Sequence, residues 1–166
     1  MAEKFADLMT GIPDHWVTFI ISMLPVVELR GSIPWAMTLG KMGWGDALLW
    51  SLIGNAVPII PLLLLLEPVS NILRKIPLFD RFFIWLFTRT QKRGEKVMQK
   101  YKAFGLAVFV GIPLPGTGIW TGAIAAFVFG VPFRLALPAI FAGMVAAGIM
   151  VTLASAGAIG IFKVFL

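Results

Sequence analysis

An acid and a base lie two positions apart in a part of the chain that is apolar enough to enter a bilayer. Glu28 and Arg30 belong to the segment Glu28–Pro34, which interrupts a long apolar stretch. A charge at the bilayer centre costs roughly 2.5 to 17 kcal/mol, so such residues are usually paired, hydrated or functional. Both side chains are therefore candidate site residues. The alternative is that they form a neutralising pair that only fixes a turn between two hydrophobic segments.

The composition predicts a small integral membrane protein. Of the 166 residues, 59% are hydrophobic and only 13% are charged, which is far too apolar for an ordinary soluble domain. A helix needs about 20 residues to cross the ~30 Å hydrocarbon layer, so this length allows a handful of spans in one membrane domain over residues 1–166. Because there is no cysteine and one histidine, we expect no disulfide, no metal site and no cofactor.

The basic residues are concentrated in one central stretch. Nine of the fourteen lie between Arg74 and Lys102, although the net charge is only +6. This bias is typical of a cytoplasmic segment, so it predicts that residues 68–104 lie inside and that both termini lie outside. The same run could instead contact lipid headgroups. We expect no nucleic-acid partner, and residues 1–12 have the spacing of a short interfacial helix.

Residues 14–43 predict a re-entrant hairpin of two half-helices with its tip at Glu28–Pro34. The competing interpretation is one helix over residues 16–39 that carries its charges inside. The hairpin is favoured because helix-breaking residues gather where the tip would lie, and irregular backbone is tolerated at membrane depth when it is buried or lines a wet cavity. These residues are Pro25, Gly31 and Pro34.

Residues 46–66 form the first complete span and end before Glu67. Pro58 and Pro61 are expected to kink it. Asn55 is its one strongly polar interior residue, and it could bind substrate. Alternatively, Asn55 makes only an interhelical hydrogen bond, which contributes about 0.6–2 kcal/mol.

Residues 105–133 contain no charge but do not read as one continuous helix. Two prolines and several glycines fall within Gly111–Gly118, and such a run breaks a helix. A second re-entrant hairpin with arms over about 105–112 and 119–129 fits better. The following residues, 135–162, predict a long span that packs closely on a neighbour through small residues at a spacing of four, namely Ala139, Gly143 and Ala147.

The segments form two similar modules, each a hairpin followed by a span. Repeat 1 covers about 14–66 and repeat 2 about 105–163, and a basic amphipathic connector, 67–104, joins them. If the connector is cytoplasmic, the hairpins enter from opposite sides and meet near the midplane. Secondary transporters build substrate sites from such inverted repeats. The predicted fold is therefore an all-α membrane protein of this kind, and the alternative is a plain bundle of four kinked spans.

The expected site suits an anionic amphiphile. Half-helices that begin near Ser32 and Thr117 would direct their positive ends to the midplane. The Arg30 guanidinium suits a phosphate, and a desolvated Glu28 could exchange a proton. This favours a transporter or flippase for a phosphate-headed lipid or similar small amphiphile, with membrane lipids and protons as partners. The alternatives are a proton-coupled exporter of lipophilic cations that bind Glu28, and a non-transporting scaffold.

No enzymatic activity is expected, because no nucleophile–base pair, metal cluster or phosphate-binding loop is visible. The sequence leaves a homo-oligomer open.

Three motifs resemble the hallmark segments of one family. They are Pro25–Pro34, Gly54–Asn55 and Pro113–Ala123, and they are similar to those of the putative small multidrug export protein family, a branch of the DedA (VTT-domain) superfamily. The resemblance implies paired re-entrant hairpins in the cell membrane and transport or scrambling of lipids, including polyprenyl-phosphate carriers, with proton coupling. Better-studied relatives carry arginines in the second hairpin, whereas here that role could fall only to Arg30.

The residues and the resemblance together give one set of candidate substrate-binding or proton-coupling positions. They are Glu28, Arg30, Gly31, Ser32, Pro34, Asn55, Pro113, Pro115, Gly116, Thr117, Gly118, Trp120 and Thr121.

Overall fold

A computed structural model describes residues 11–73, 95–114 and 116–165 of the chain. The first ten residues of the predicted interfacial helix, residues 74–94 of the predicted connector and the candidate site residue Pro115 lie outside the described residues. The chain divides into two compact units, which are described separately below. The first unit comprises Met1–Asn55 with Gly148–Leu166, and the second comprises Ala56–Ala147. The single membrane domain stays a prediction.

The described residues are helical, as the sequence predicted, and contain seven α-helices. In chain order these are α1 (Asp14–Met23), α2 (Glu28–Thr38), α3 (Trp44–Ala56), α4 (Ile59–Leu73), α5 (Glu95–Gly111), α6 (Ile119–Val128) and α7 (Phe133–Phe165).

Among the described residues, two helical stretches are long and apolar enough to cross a membrane. They are Trp44–Leu66, with 23 residues, and Phe133–Gly160, with 28 residues. Both exceed the ~20 residues that the hydrocarbon layer requires. They coincide with the two spans that the sequence predicted.

The prolines of the first span explain its interruption. The helix stops at Ala56 and resumes at Ile59, where the amide of Leu62 donates to the carbonyl of Pro58 over 2.9 Å. Pro61 is the third residue of α4. The first four N–H groups of a helix have no partner within the helix, so the missing N–H of Pro61 costs α4 no hydrogen bond. The apolar stretch ends at Leu66, as predicted, although the helix α4 continues to Leu73.

The tip of the first hairpin lies earlier than the sequence predicted. The turn comprises residues 24–27, whereas Glu28–Pro34 is helical and belongs to α2, which packs against α1. Pro25 ends α1, because a proline disfavours helical backbone in the residue before it. The residue at the end of the turn, Glu28, has left-handed backbone, with φ of +47°. The inner half-helix therefore begins at Glu28 rather than near Ser32.

The second hairpin has its break and its second arm where the sequence predicted, but its first helix begins at Glu95 and not near residue 105. In the second unit, α5 ends at Gly111, α6 begins at Ile119, and the two helices pack against each other. Gly130 ends α6 with φ of +63°, which a residue without Cβ adopts at little cost. Two hydrogen bonds close this end, from Val131 N to Ala126 O at 2.8 Å and from Gly130 N to Phe127 O at 3.1 Å, as in a Schellman motif.

The small residues of α7 bring its backbone close to α5. A Cβ built on Gly143 would clash with Val110 and with the carbonyl of Ala107, so the two helices touch there. Ala139 and Ala147, one turn to either side, are 8% and 5% exposed. The predicted close packing is therefore present.

Both halves of the described chain follow one order, two packed helices and then a long apolar stretch. That order fits the predicted repeat. The opposite orientation of the halves and the re-entrant course of the hairpins stay predictions.

Candidate functional site, a buried polar set

Within the described residues of the first unit, six polar side chains are buried on α1, α2 and α3, in addition to Thr152 on α7. Thr18, Ser22, Ser32 and Ser51 are fully buried, Asn55 is 1% exposed and Glu28 is 6% exposed. We call these six residues the polar set. Each of three helices contributes two of them four positions apart, and residues at that spacing lie on one face of a helix. The pairs are Thr18 and Ser22 on α1, Glu28 and Ser32 on α2, and Ser51 and Asn55 on α3.

A hydrogen bond between two of these residues joins α2 to α3. The hydroxyl of Ser32 donates to the hydroxyl oxygen of Ser51 over 2.8 Å, and both residues are fully buried. Hydrogen bonds of this kind between membrane helices contribute about 0.6–2 kcal/mol. Ser32 was a candidate from the sequence, whereas its partner Ser51 was not.

Helices α1 and α3 also meet at close range beside Asn55. A Cβ on Gly54 would clash with the hydroxyl of Ser22 and with the carbonyl oxygen of Phe19. Only glycine allows the two backbones to approach so closely, as at small-residue contacts between membrane helices. Ser22 itself donates to the Phe19 carbonyl over 2.7 Å. The glycine of the predicted Gly54–Asn55 motif therefore has a packing role.

Asn55 is buried beside this crossing. Its side-chain oxygen accepts no hydrogen bond from any part of the chain that the structure describes. Leaving a buried polar atom unsatisfied costs about 1–3 kcal/mol, and such atoms are usually satisfied by water or by a bound molecule. The interhelical hydrogen bond expected as an alternative role is therefore not made by this oxygen. Asn55 stays a candidate ligand-binding residue.

Glu28 is the first residue of α2 and lies on the same helix face as Ser32. A carboxylate is stabilised at a helix N-terminus by the positive end of the helix dipole. Its left-handed backbone costs about 1–3 kcal/mol for a residue with a side chain, and such strain concentrates at functional sites. Arg30 lies two positions further on and is half-buried. Both side chains interact with neighbours, so the neutralising pair remains an alternative.

The remaining first-hairpin candidates lie within α2. Gly31 and Pro34 are both half-buried, and Pro34 is helical despite its missing N–H. The carbonyl of Pro34 accepts a hydrogen bond from the hydroxyl of Thr38 over 2.7 Å. The expected role of these two residues in a tip is therefore wrong.

The candidates of the second hairpin belong to the second unit, in the connection between α5 and α6. Thr117 closes this loop, since its hydroxyl is 2.6 Å from the carbonyl of Ile112 and accepts from the amide of Leu114 at 3.2 Å. Gly116 has φ of +82° in the same turn. Pro113 precedes it as a half-buried residue of the loop.

The start of α6 carries the other candidates. Gly118 occupies the N-cap position, and no side chain caps the helix there. Thr121 donates back to the carbonyl of Gly118 over 3.3 Å, and Trp120 is half-buried on the first turn. These residues shape the beginning of the helix, and a direct role in binding stays a prediction.

Sequence reasoning missed Thr18, Ser22 and Ser51. Single serines and threonines are common in apolar helices, where their hydroxyls bond to a carbonyl of the preceding turn, as Thr18 does to Asp14 over 2.7 Å. The signal was the repeated spacing of four between polar residues in three successive apolar segments. The chemistry of the set is restricted to hydroxyls, one amide and one carboxylate, and no group of three metal-binding side chains lies within the described residues.

Comparison with known proteins gives the chain its family. The model of the family described as "Putative small multi-drug export protein" matches residues 28–150, which include Glu28, Ser32, Ser51 and Asn55. No curated protein and no solved structure matches the chain significantly. The match covers well over half of the sequence, and it confirms the resemblance carried by the three motifs. The chain therefore belongs to the putative small multi-drug export protein family, a family of membrane transport proteins.

Proposed function

We propose that this protein is a proton-coupled membrane transporter and that Glu28 is its proton site. The observation that carries the proposal is a carboxylate only 6% exposed at the start of a helix between apolar membrane segments. Among residues 11–66, 101–114 and 116–160, for which side-chain burial is described, Glu28 is the only charged residue that is buried.

Because Glu28 is buried, the relative free energies of its ionised and protonated forms depend on whether water reaches the site. An ionised carboxylate without water is costly, so a buried acid is either neutralised by a proton or matched by a cation. A conformational change that hydrates the site would favour release of the proton, and one that dries the site would favour its uptake. This alternation is what couples proton movement to transport.

The size of the first hairpin supports a site at membrane depth. At 1.5 Å per residue, the 10 residues of α1 and the 11 residues of α2 each extend about 15–17 Å, roughly half of the ~30 Å hydrocarbon layer. Two backbone hydrogen bonds stabilise the turn between them, from the amide of Leu24 to the carbonyl of Ile21 and from the amide of Glu28 to the carbonyl of Leu24.

The first candidate substrate is an amphiphile with an anionic, phosphate-like head, moved as a flippase or scramblase moves a lipid. Arg30, in the first unit, supplies a planar guanidinium whose geometry suits a phosphate-like group. The N-terminus of α2 suits an anion less than the sequence suggested, because Glu28 places an acidic residue in its first turn.

The second candidate substrate is a lipophilic cation. It is favoured by the buried carboxylate and by the name of the family, which denotes multidrug export. In this case Glu28 binds either a proton or the cation, and the two compete directly.

The orientation completes the proposal. We place the protein in the plasma or inner membrane as a multi-pass protein, with both termini outside and residues 68–104 in the cytoplasm, because the basic residues of that segment follow the positive-inside bias.

The experiment that tests the proposal is transport by purified protein in sealed vesicles. Three labelled probes are compared, namely a phospholipid, a polyprenyl phosphate and a cationic dye, with a pH-sensitive dye inside the vesicles. We expect one probe to move and the internal pH to change with it, and Glu28→Gln to abolish the pH change. Movement of none of the probes, or movement that is indifferent to Glu28→Gln, would contradict the proposal.

A further inference from the structure

The second unit contains an apolar groove between α5 and α6. Its cavity has a volume of about 380 Å³, which lies within the range of ~300–1,000 Å³ typical of ligand sites. Its walls include Phe109 and Phe129, which are 38% and 51% exposed, so the groove is open at the surface. The lining residues are Lys102, Gly105, Leu106, Phe109, Ala125, Phe129 and Val131.

One cationic group lies in this otherwise apolar lining. The ammonium group of Lys102 donates to the carbonyl oxygen of Phe129 over 3.0 Å, where that carbonyl ends α6. A lysine ammonium has three N–H donors, so this bond leaves two for another acceptor. The negative end of the α6 dipole holds the cation in place.

The groove has a polar end and an apolar end along α5. Tyr101 and Phe104, beside Lys102, are 72% and 70% exposed, as aromatic side chains at a membrane interface are. Leu106 and Phe109 follow on the same helix, and the seven positions from Lys102 to Phe109 rise about 10 Å. A molecule with its head at Lys102 would therefore have about 10 Å of apolar groove along its chain.

We propose that this groove binds an anionic phospholipid of the surrounding bilayer, with the phosphate on Lys102 and an acyl chain along Leu106 and Phe109. An anionic head is expected because Lys102 is the one charged residue of the lining, and an acyl chain is expected because the other lining residues are apolar. The lining contains no residue of the polar set, because all of its residues belong to the second unit. The groove is a binding site in addition to the transport mechanism proposed above.

Two variants separate the head from the chain. Lys102→Met removes the charge and keeps an unbranched apolar side chain. Gly105→Leu fills the groove, and it is expected to fold, because a Cβ at Gly105 meets no atom within 4 Å and leucine favours helix more than glycine does. Arg134→Met is the matched control, since Arg134 is exposed and does not line the groove.

The test counts bound lipid on the full-length protein by native mass spectrometry, with phosphatidylglycerol and phosphatidylcholine as probes. We expect phosphatidylglycerol to bind more tightly than phosphatidylcholine. Lys102→Met should weaken the binding of phosphatidylglycerol about fivefold, the effect of one lysine on binding to an anionic lipid surface, and Lys102→Arg should restore that binding. Gly105→Leu should weaken binding of both lipids, and Arg134→Met should change neither. Equal binding of the two lipids, or phosphatidylglycerol binding unchanged in both groove variants, would overturn the proposal, as would displacement of the lipid by a cationic dye. Because no transport is measured, failure here leaves the Glu28 mechanism standing.

Discussion

Replacing Gly54 by alanine tests the geometry on which the candidate site depends. The added Cβ would clash with the hydroxyl of Ser22 and with the carbonyl of Phe19. The serine hydroxyl can rotate away, but the backbone carbonyl cannot move without shifting α1 relative to α3. Gly54→Ala should therefore separate the two helices beside Asn55.

The expected effect is a difference between two opposing contributions. Overpacking a close contact costs about 1–3 kcal/mol, and a contact with backbone falls at the upper end of that range. Alanine regains about 1 kcal/mol of helix propensity. The net destabilisation is then about 1–2 kcal/mol, which lowers the melting temperature of a chain of this size by roughly 2–8 °C.

The assay is thermal unfolding of the purified protein in detergent, together with transport activity. Gly157→Ala is the matched control, because a Cβ there meets no atom within 4 Å, and its melting temperature should stay equal or rise slightly. If Gly54→Ala were as stable and as active as Gly157→Ala, the close crossing of α1 and α3 would be refuted.

Three further predictions concern the polar set and the topology. Ser32→Ala and Ser51→Ala should each destabilise the protein by about 0.6–2 kcal/mol, because each removes the same hydrogen bond. The double variant should therefore lose less stability than the sum of the two single losses. A double-mutant cycle measures this difference, and additive losses would contradict the prediction. Asn55→Leu removes an unsatisfied buried oxygen, so unfolding should show unchanged or higher stability while vesicle transport is lost; retained transport would remove Asn55 from the site. Lys96→Cys, in a chain without other cysteines, should resist an impermeant thiol reagent in intact cells and react after lysis, and labelling without lysis would reverse the proposed orientation.

The second hairpin could be predicted from sequence because its breaks are made by residues with unambiguous backbone preferences. Pro113 cannot continue α5, and Gly116 and Gly130 both have positive φ. The small-residue pattern around Gly143 likewise predicts a close helix contact, since backbone approach depends on side-chain size alone.

The tip of the first hairpin could not be located in the same way. Its left-handed residue is a glutamate, whereas the rules for turns assign that conformation to glycine. Pro34 misled the prediction as well, because a helix can continue through a proline when tertiary packing offsets the lost hydrogen bond.

Half of the polar set was also beyond sequence reasoning. Ser32 and Asn55 could be selected as candidates because they lie beside helix-breaking residues and glycines. Ser51 can be recognised only from its hydrogen bond with the hydroxyl of Ser32 on the neighbouring helix. Such a pairing depends on the relative rotation of two helices, which the pattern of one segment does not determine.

The central claim is that Glu28 carries the proton, and the pH dependence of transport in vesicles tests it most directly. Glu28→Gln keeps the shape of the side chain and cannot titrate, so an anionic substrate should still bind while the transport rate loses its dependence on pH. Arg30→Lys keeps the positive charge but loses the planar guanidinium with its paired N–H donors, so substrate affinity should fall while the pH dependence of transport remains. A variant with apolar residues at both positions should be folded and inactive. If that double variant transported substrate with the pH dependence of the unmodified protein, Glu28 and Arg30 would be only a neutralising pair, and the account would be contradicted.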